Sequence, residues 1–237
     1  AVRRELDPLL DTIEPLPGGL EVFTTLDASW QNRLEVELTR AVEDLEHEKN
    51  WPHGTEASHM SGNEPTYLQY AAVTTETLTG ATLALIGGRN FSHSRFDRTR
   101  SSRDLGSAFE PFVAAAAAER GKLVLPGHPL QTGRQIGPAE VARIAKRCGI
   151  SGNFNETEDL FRGTVTATPM EMSVGLAILE HQGKRAKPYI IREIRAASGD
   201  VIYKAKPQFT AAISAAAAAQ GFEPFNIELQ ELRKNFK

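Results

Sequence analysis

The chain has 237 residues, 41% of them hydrophobic and 24% charged, with a net charge of −3 at neutral pH. That length buries a sizeable core, and the charge balance gives no basic surface on which to expect nucleic acid. No stretch approaches the roughly 20 apolar residues of a membrane helix, and no apolar signal core follows Ala1-Val2-Arg3-Arg4-Glu5, so any anchor or targeting segment is expected outside this chain. The single cysteine, Cys148, excludes an internal disulfide and reads as a small residue on a helix face.

Residues 1–15 read as a short helix, stopped by Pro15 and Pro17. Leu20 to Leu26 alternate and are partly β-branched, which predicts a strand. Asp27-Ala28-Ser29 then offers an N-cap for a long amphipathic helix, with Trp30, Leu34, Leu38, Val42 and Leu45 at helical spacing. A polar loop rich in Gly, Pro and His follows from Asn50 to Pro65. Tyr67 to Thr77 and Ala81 to Gly87 read as a hairpin turning at Leu78-Thr79-Gly80. Arg89 to Arg103 carries five arginines, read as a solvated loop or as a basic approach for a carboxylate-bearing ligand. Pro138 to Cys148 predicts a helix closed by Gly149, and Thr168-Pro169 opens another that ends at Gly183. Lys187 to Ala205 reads as a hairpin around Ser198-Gly199-Asp200, Phe209 to Ala219 as an alanine-rich helix, and Ile227 to Phe236 as a short one.

Ser107-Ala108-Phe109-Glu110 is the stretch richest in chemical content. At a helix start, a residue three positions on stands one turn above the serine on the same face. A base there can take the hydroxyl proton and make the serine nucleophilic. Glu110 is a weak base, because an ordinary glutamate titrates near 4.3, and its charge opposes both a developing oxyanion and a carboxylate-bearing substrate. Ser-x-x-Glu ahead of an apolar run is equally a capping box, with Pro111 in the first turn and Ala114 to Ala118 continuing the helix. In that reading Ser107→Ala costs roughly 1 kcal/mol.

The surroundings carry a resemblance. Gly80-Ala-Thr-Leu-Ala-Leu-Ile-Gly-Gly-Arg-Asn-Phe-Ser, Phe96-Asp97-Arg98 and Gly106-Ser107-Ala108-Phe109-Glu110-Pro111-Phe112 resemble the penicillin-binding transpeptidase family, particularly its bifunctional, glycosyltransferase-linked members. Gly18-Gly19-Leu20-Glu21-Val22-Phe23-Thr24-Thr25-Leu26-Asp27 with Gln31 resembles that family's entry segment, and the segments at Gly137–Ile150, Thr168–Met172 and Ser198–Lys204 match further ones in order. The resemblance puts the family's nucleophile at Ser107 and replaces its lysine by Glu110. The family's S-x-N does not occur between Gly121 and Gly137, and no K-T-G or K-S-G follows Ala205. Ser61-Gly62-Asn63 and Ser151-Gly152-Asn153 match S-x-N at the wrong places and read as turns; Gln131-Thr132-Gly133 reads as a loop.

The expected fold is α+β (α/β), a reduced transpeptidase/β-lactamase-like arrangement with a small antiparallel sheet flanked by helices. Residues 1–66 form a lead-in, 67–206 the transpeptidase-like core and 207–237 a helical segment. The resemblance makes the 67–87 hairpin the first strands of the central sheet. Without the K-T-G strand that sheet would be left with two strands, its edge covered by the C-terminal helices or by a second chain. The six histidines show no zinc-type spacing; His53 and His59 are the nearest pair. No metal or cofactor is expected. The functional expectation is a degenerate, non-catalytic module of bacterial peptidoglycan synthesis, outside the cytoplasmic membrane, with peptidoglycan or cell-wall synthesis proteins as partners and oligomerisation through an exposed sheet edge. The alternative is an active serine D,D-transpeptidase working through an acyl-enzyme on Ser107.

Overall fold

A computed structural model describes residues 1–13, 18–60 and 62–223. In chain order the first elements are α1 (Val2–Leu10), β1 (Leu20–Thr24), α2 (Ala28–Glu46), β2 (Ala72–Thr75), β3 (Thr82–Ile86) and β4 (Arg103–Asp104). Then come α3 (Glu110–Glu119), α4 (Pro129–Arg134), α5 (Pro138–Arg147), β5 (Thr166–Ala167), α6 (Pro169–Glu180) and β6 (Lys184–Ala186). The last elements among the described residues are β7 (Ile191–Ala196), β8 (Val201–Lys204), β9 (Phe209–Ala211) and α7, residues 215–223. It packs as two compact units that interleave along the sequence: Ala1–Thr75, Ala81–Ser101 and Pro188–Lys206 form one, and Glu76–Gly80, Ser102–Lys187 and Pro207–Lys237 the other.

The first unit is built on a three-stranded antiparallel sheet in the order β1-β7-β8. The β2-β3 hairpin predicted from the sequence forms, but as a two-stranded sheet of its own, so it is not a member of the largest sheet. β1 and the β7-β8 hairpin, far apart in sequence, supply that sheet instead. Three polar residues join these parts. The Thr25 hydroxyl donates to the Thr82 carbonyl at 2.6 Å, and its backbone N–H donates to the Ile190 carbonyl at 2.8 Å. Asp27 caps α2 by accepting from the backbone N–H groups of Ser29 and Trp30. Gln31 accepts from the Leu85 N–H at 3.0 Å and donates to its carbonyl at 3.3 Å, satisfying the β3 backbone as a neighbouring strand would. α1 buries none of its residues; it docks through Glu5, which accepts the N–H groups of Ile190 and Ile191 at 2.8 and 2.9 Å.

The second unit is centred on α3, whose residues Pro111 to Ala117 are all buried. The alanine run explains this: without bulky side chains the helix can be approached from every side. α5 packs on it with Val141, Ala142, Ile144 and Ala145, beside Phe109, Phe112, Leu160, Phe161 and Ile178. The predicted C-terminus of α5 forms with Gly149 at φ +95°, and Ile150 donates back to Ala145 at 3.1 Å. Thr168 caps α6, and the Glu171 side chain completes the box at the Thr168 N–H.

Two elements differ from the sequence reading. Gln131-Thr132-Gly133 lies in the helix α4, where a side chain on Gly133 would collide with the Phe161 ring at 2.3 Å. Phe209–Ala211 is a strand paired with β6, and the alanine-rich helix starts only at residue 215. The helix expected at Ile227–Phe236 lies outside the described residues.

Candidate functional site

Ser107 sits in a 3-10 turn, Gly106–Phe109, that runs directly into α3. β4 pairs with β5, matching Arg103 with Ala167 and Asp104 with Thr166, and so sets the approach to this turn. The chain then closes through Leu105 N–H to the Val165 carbonyl at 3.1 Å and Gly106 N–H to the Gly163 carbonyl at 3.2 Å. Gly106 and Gly163 both have positive φ, and a Cβ on Gly163 would stand 1.9 Å from the Gly106 oxygen, so only glycine fits that crossing. Phe109 is fully buried beneath the turn, which leaves Ser107 and Ala108 facing outward.

The capping box read into Ser107 and Glu110 does not form. The residue before α3 is Phe109, with no side-chain cap, and only the backbone carbonyl of Ser107 accepts from the Glu110 N–H. The reason is local: the 3-10 turn holds the backbone helical up to α3, whereas a capping serine needs extended φ/ψ. Among the described residues no hydrogen bond reaches the Ser107 hydroxyl, from Glu110 or from any lysine. Glu110 instead lines a crevice of about 10 Å³ with Ala114, Val124, Leu125, Pro126, Gly127, Pro129 and Thr132. That volume accommodates about one water molecule. The short segment standing where the S-x-N insertion was sought therefore packs beside Glu110. Thr132 pins it by accepting from the Leu125 N–H at 3.1 Å.

The S-x-N lookalike Ser151-Gly152-Asn153 is tied up structurally. Both the N–H and the hydroxyl of Ser151 donate to the Glu171 carboxylate. Burial works to raise the Glu171 carboxyl, but these bonds and those from Thr168 outweigh it and hold it below the usual range. Of Ser61-Gly62-Asn63, residue 61 lies outside the described residues.

Within the arginine-rich segment Arg89 is buried and paired, whereas Arg100 and Arg103 are exposed. The Arg89 side chain is 2% exposed and pairs bidentately with Glu46, at 2.6 and 3.2 Å, and with Glu56 at 2.9 Å. Arg95 and Arg98 lie over the rings of Phe91 and Phe96. His59 stacks on His93, with ring centroids 4.2 Å apart, rather than meeting His53; Tyr67 shares a hydrogen bond with His93 at 2.9 Å. No cluster of three metal-ligating side chains occurs among the described residues. Cys148 is fully buried, and burial pushes its thiol up to about 12, so it is no nucleophile.

A second charged cluster was not singled out from the sequence. Glu140 bridges Arg120 and Arg143, each bidentate, at 2.6 to 2.9 Å. The hydrogen bonds from Arg143, then Arg120, hold its carboxyl at about 2. The Glu140–Arg143 half was readable as an i, i+3 pair on a predicted helix; Arg120 arrives from another element.

Helices packed around small antiparallel sheets, with an exposed serine in the turn before a buried helix, define a penicillin-binding transpeptidase-like fold. The crystal structure of penicillin-binding protein 1A from Haemophilus influenzae superposes with a TM-score of 0.73 at 16% identity, covering 95% of this chain and 56% of that one. A Mycobacterium tuberculosis penicillin-binding protein solved with penicillin V gives 0.65 at 21%, covering 92% and 66%. In sequence the chain is similar to penicillin-binding protein 1A of Escherichia coli, 25% identical over 182 residues, and to penicillin-binding protein 2D of Bacillus subtilis, 23% identical over 231 residues. These matches cover 58% and 79% of this chain; it spans only 21% and 30% of those relatives' length. No protein-family model matches.

Proposed function

We propose that this chain is a non-catalytic transpeptidase-like module that serves bacterial peptidoglycan synthesis on the outer side of the cytoplasmic membrane, by presenting its fold to peptidoglycan or to other cell-wall synthesis proteins. One observation carries this reading: Glu110, which the resemblance sets in place of the family's lysine, makes no hydrogen bond to the Ser107 hydroxyl among the described residues and instead lines a crevice of about 10 Å³. A carboxylate at that position is a weaker general base than the lysine amine it replaces, and its charge opposes a developing oxyanion. The penicillin-binding names of the relatives support the family setting, and no helix among the described residues is long and apolar enough to cross a membrane.

The exposed Ser107 hydroxyl favours the competing reading, an active serine D,D-transpeptidase. The two part company on a peptide ending in D-alanyl-D-alanine. The module releases no D-alanine above buffer; release that disappears in Ser107→Ala overturns it.

A further inference from the structure

The outer side of α5 and the end of α3 expose cations over largely buried carboxylates. Arg120 and Arg143 each give Nε and Nη2 to Glu140, which leaves Nη1 of both guanidiniums without a partner among the described residues. The two arginine side chains are 55% and 45% exposed and that of Glu140 only 11%, so the positive groups face outward. One guanidinium would neutralise Glu140. The second, with Lys122, which has no ion pair among the described residues, leaves an excess of positive charge. Glu119, the other carboxylate acting on these arginines, is turned instead to the Ser214 N–H at 2.9 Å and to Arg147 at 3.7 Å. Cations at a helix C-terminus offset its dipole. That accounts for Lys146 and Arg147 in the last turn of α5, but not for Lys122 or Arg143.

With Gln135, these cations ring an open hollow of about 510 Å³ over Ile136 and Ala139. The Gln135 Nε2–H donates to the Leu123 carbonyl at 2.7 Å, which fixes the amide and leaves Oε1 to accept. We propose that this hollow docks an acidic segment of a partner protein. One carboxylate sits on the Nη1 groups of Arg120 and Arg143 and a second on Lys122. A backbone N–H of the segment meets Gln135 Oε1, and an apolar side chain covers Ile136 and Ala139. The proposal rests on the reading of the chain as an interaction module and names the chemistry of its partner. Bare phosphate carries neither an N–H donor nor an apolar group, so it would leave Gln135 and Ile136 unused. Glu140 holds both guanidiniums in place beforehand, so less side-chain freedom is lost when the segment arrives. The cations are half exposed, so their attraction is screened and the binding weakens as salt rises.

Fluorescence anisotropy of a labelled Glu-Glu-Leu-Glu-Glu peptide, at low salt, reads this directly. The unaltered chain binds it, and the same peptide with glutamine for glutamate does not bind. Arg120→Gln with Lys122→Gln raises the Kd about tenfold; Glu140 keeps Arg143 in that variant, so its charge stays paired. Should the double variant fail to fold, Lys122→Gln alone breaks no ion pair among the described residues and raises the Kd about threefold. Arg95→Gln, which removes a cation from the other compact unit, leaves it unchanged. No binding by the unaltered chain, equal weakening by Arg95→Gln, or displacement of the peptide by inorganic phosphate at equal concentration overturns the inference. Penicillin labelling separates it from the reading on which it rests: an adduct on Ser107 with peptide binding intact defeats the non-catalytic module alone, and lost peptide binding with Ser107 unmodified defeats the docking hollow alone.

Discussion

Ser107 and Glu140 illustrate how differently two charged or nucleophilic positions respond to their surroundings. Ser107 is exposed and caps nothing, so Ser107→Ala is expected to change unfolding free energy by less than about 0.5 kcal/mol, smaller than the cap reading implied. Urea titration checks this, and a loss near 1 kcal/mol or more restores the capping role. Glu140 is sensitive to pH. Its carboxyl titrates at about 2 when folded, below its ordinary value of 4.5, so the folded state holds fewer protons than the unfolded chain between those values. Stability from the Arg120–Glu140–Arg143 bridge is complete above about pH 4.5 and is lost as pH falls through about 2. Denaturation at pH 6 and pH 2.5 should therefore show a smaller gap between wild type and Glu140→Gln at the lower pH. An unchanged gap contradicts the bridge.

At the scale of elements, what the sequence discloses depends on how local the cause is. Asp27 and Thr168 were legible as caps because a cap acts within three residues of itself, and both helices begin there. Gln31 carries a resemblance in the sequence, but its work on the Leu85 backbone lies 54 residues away and had to be seen. Ser107 failed as a cap because the backbone preceding α3 was already helical, which no residue type announces. Gln131-Thr132-Gly133 was read as a loop because it matches part of K-T-G at the wrong place in the chain, whereas the Phe161 ring against Gly133 in α4 explains the glycine. The partnership of β1 with β7 joins residues about 170 apart, beyond any local pattern. The Arg89 cluster ties α2, the polar loop and the segment after β3 together. Removing its cation leaves Glu46, 6% exposed, unpaired. Arg89→Met should cost about 3–5 kcal/mol and speed amide exchange in residues 54–58. Equal protection in both proteins shows the cluster to be incidental.

For the whole molecule, α1, α2, α5 and α6, strand β1 and the β2-β3 and β7-β8 hairpins were readable in order, the short β4, β5, β6 and β9 and the helix α4 were not, and the fold matches that of solved penicillin-binding proteins. The arrangement of the candidate site was readable only in part. The charge change at residue 110 is visible in the letters, whereas the packing of residues 124–129 beside it depends on tertiary contacts. On the proposed non-catalytic reading, the packing beside residue 110 counts as well as its charge. Glu110→Lys on its own should then fail to make the chain react with penicillin; reaction in that variant shows that the single residue suffices. The unaltered chain offers the most direct measurement: prolonged exposure to penicillin, then mass mapping of the peptide containing Ser107. It should return unmodified; a penicilloyl adduct on Ser107 contradicts a non-catalytic module.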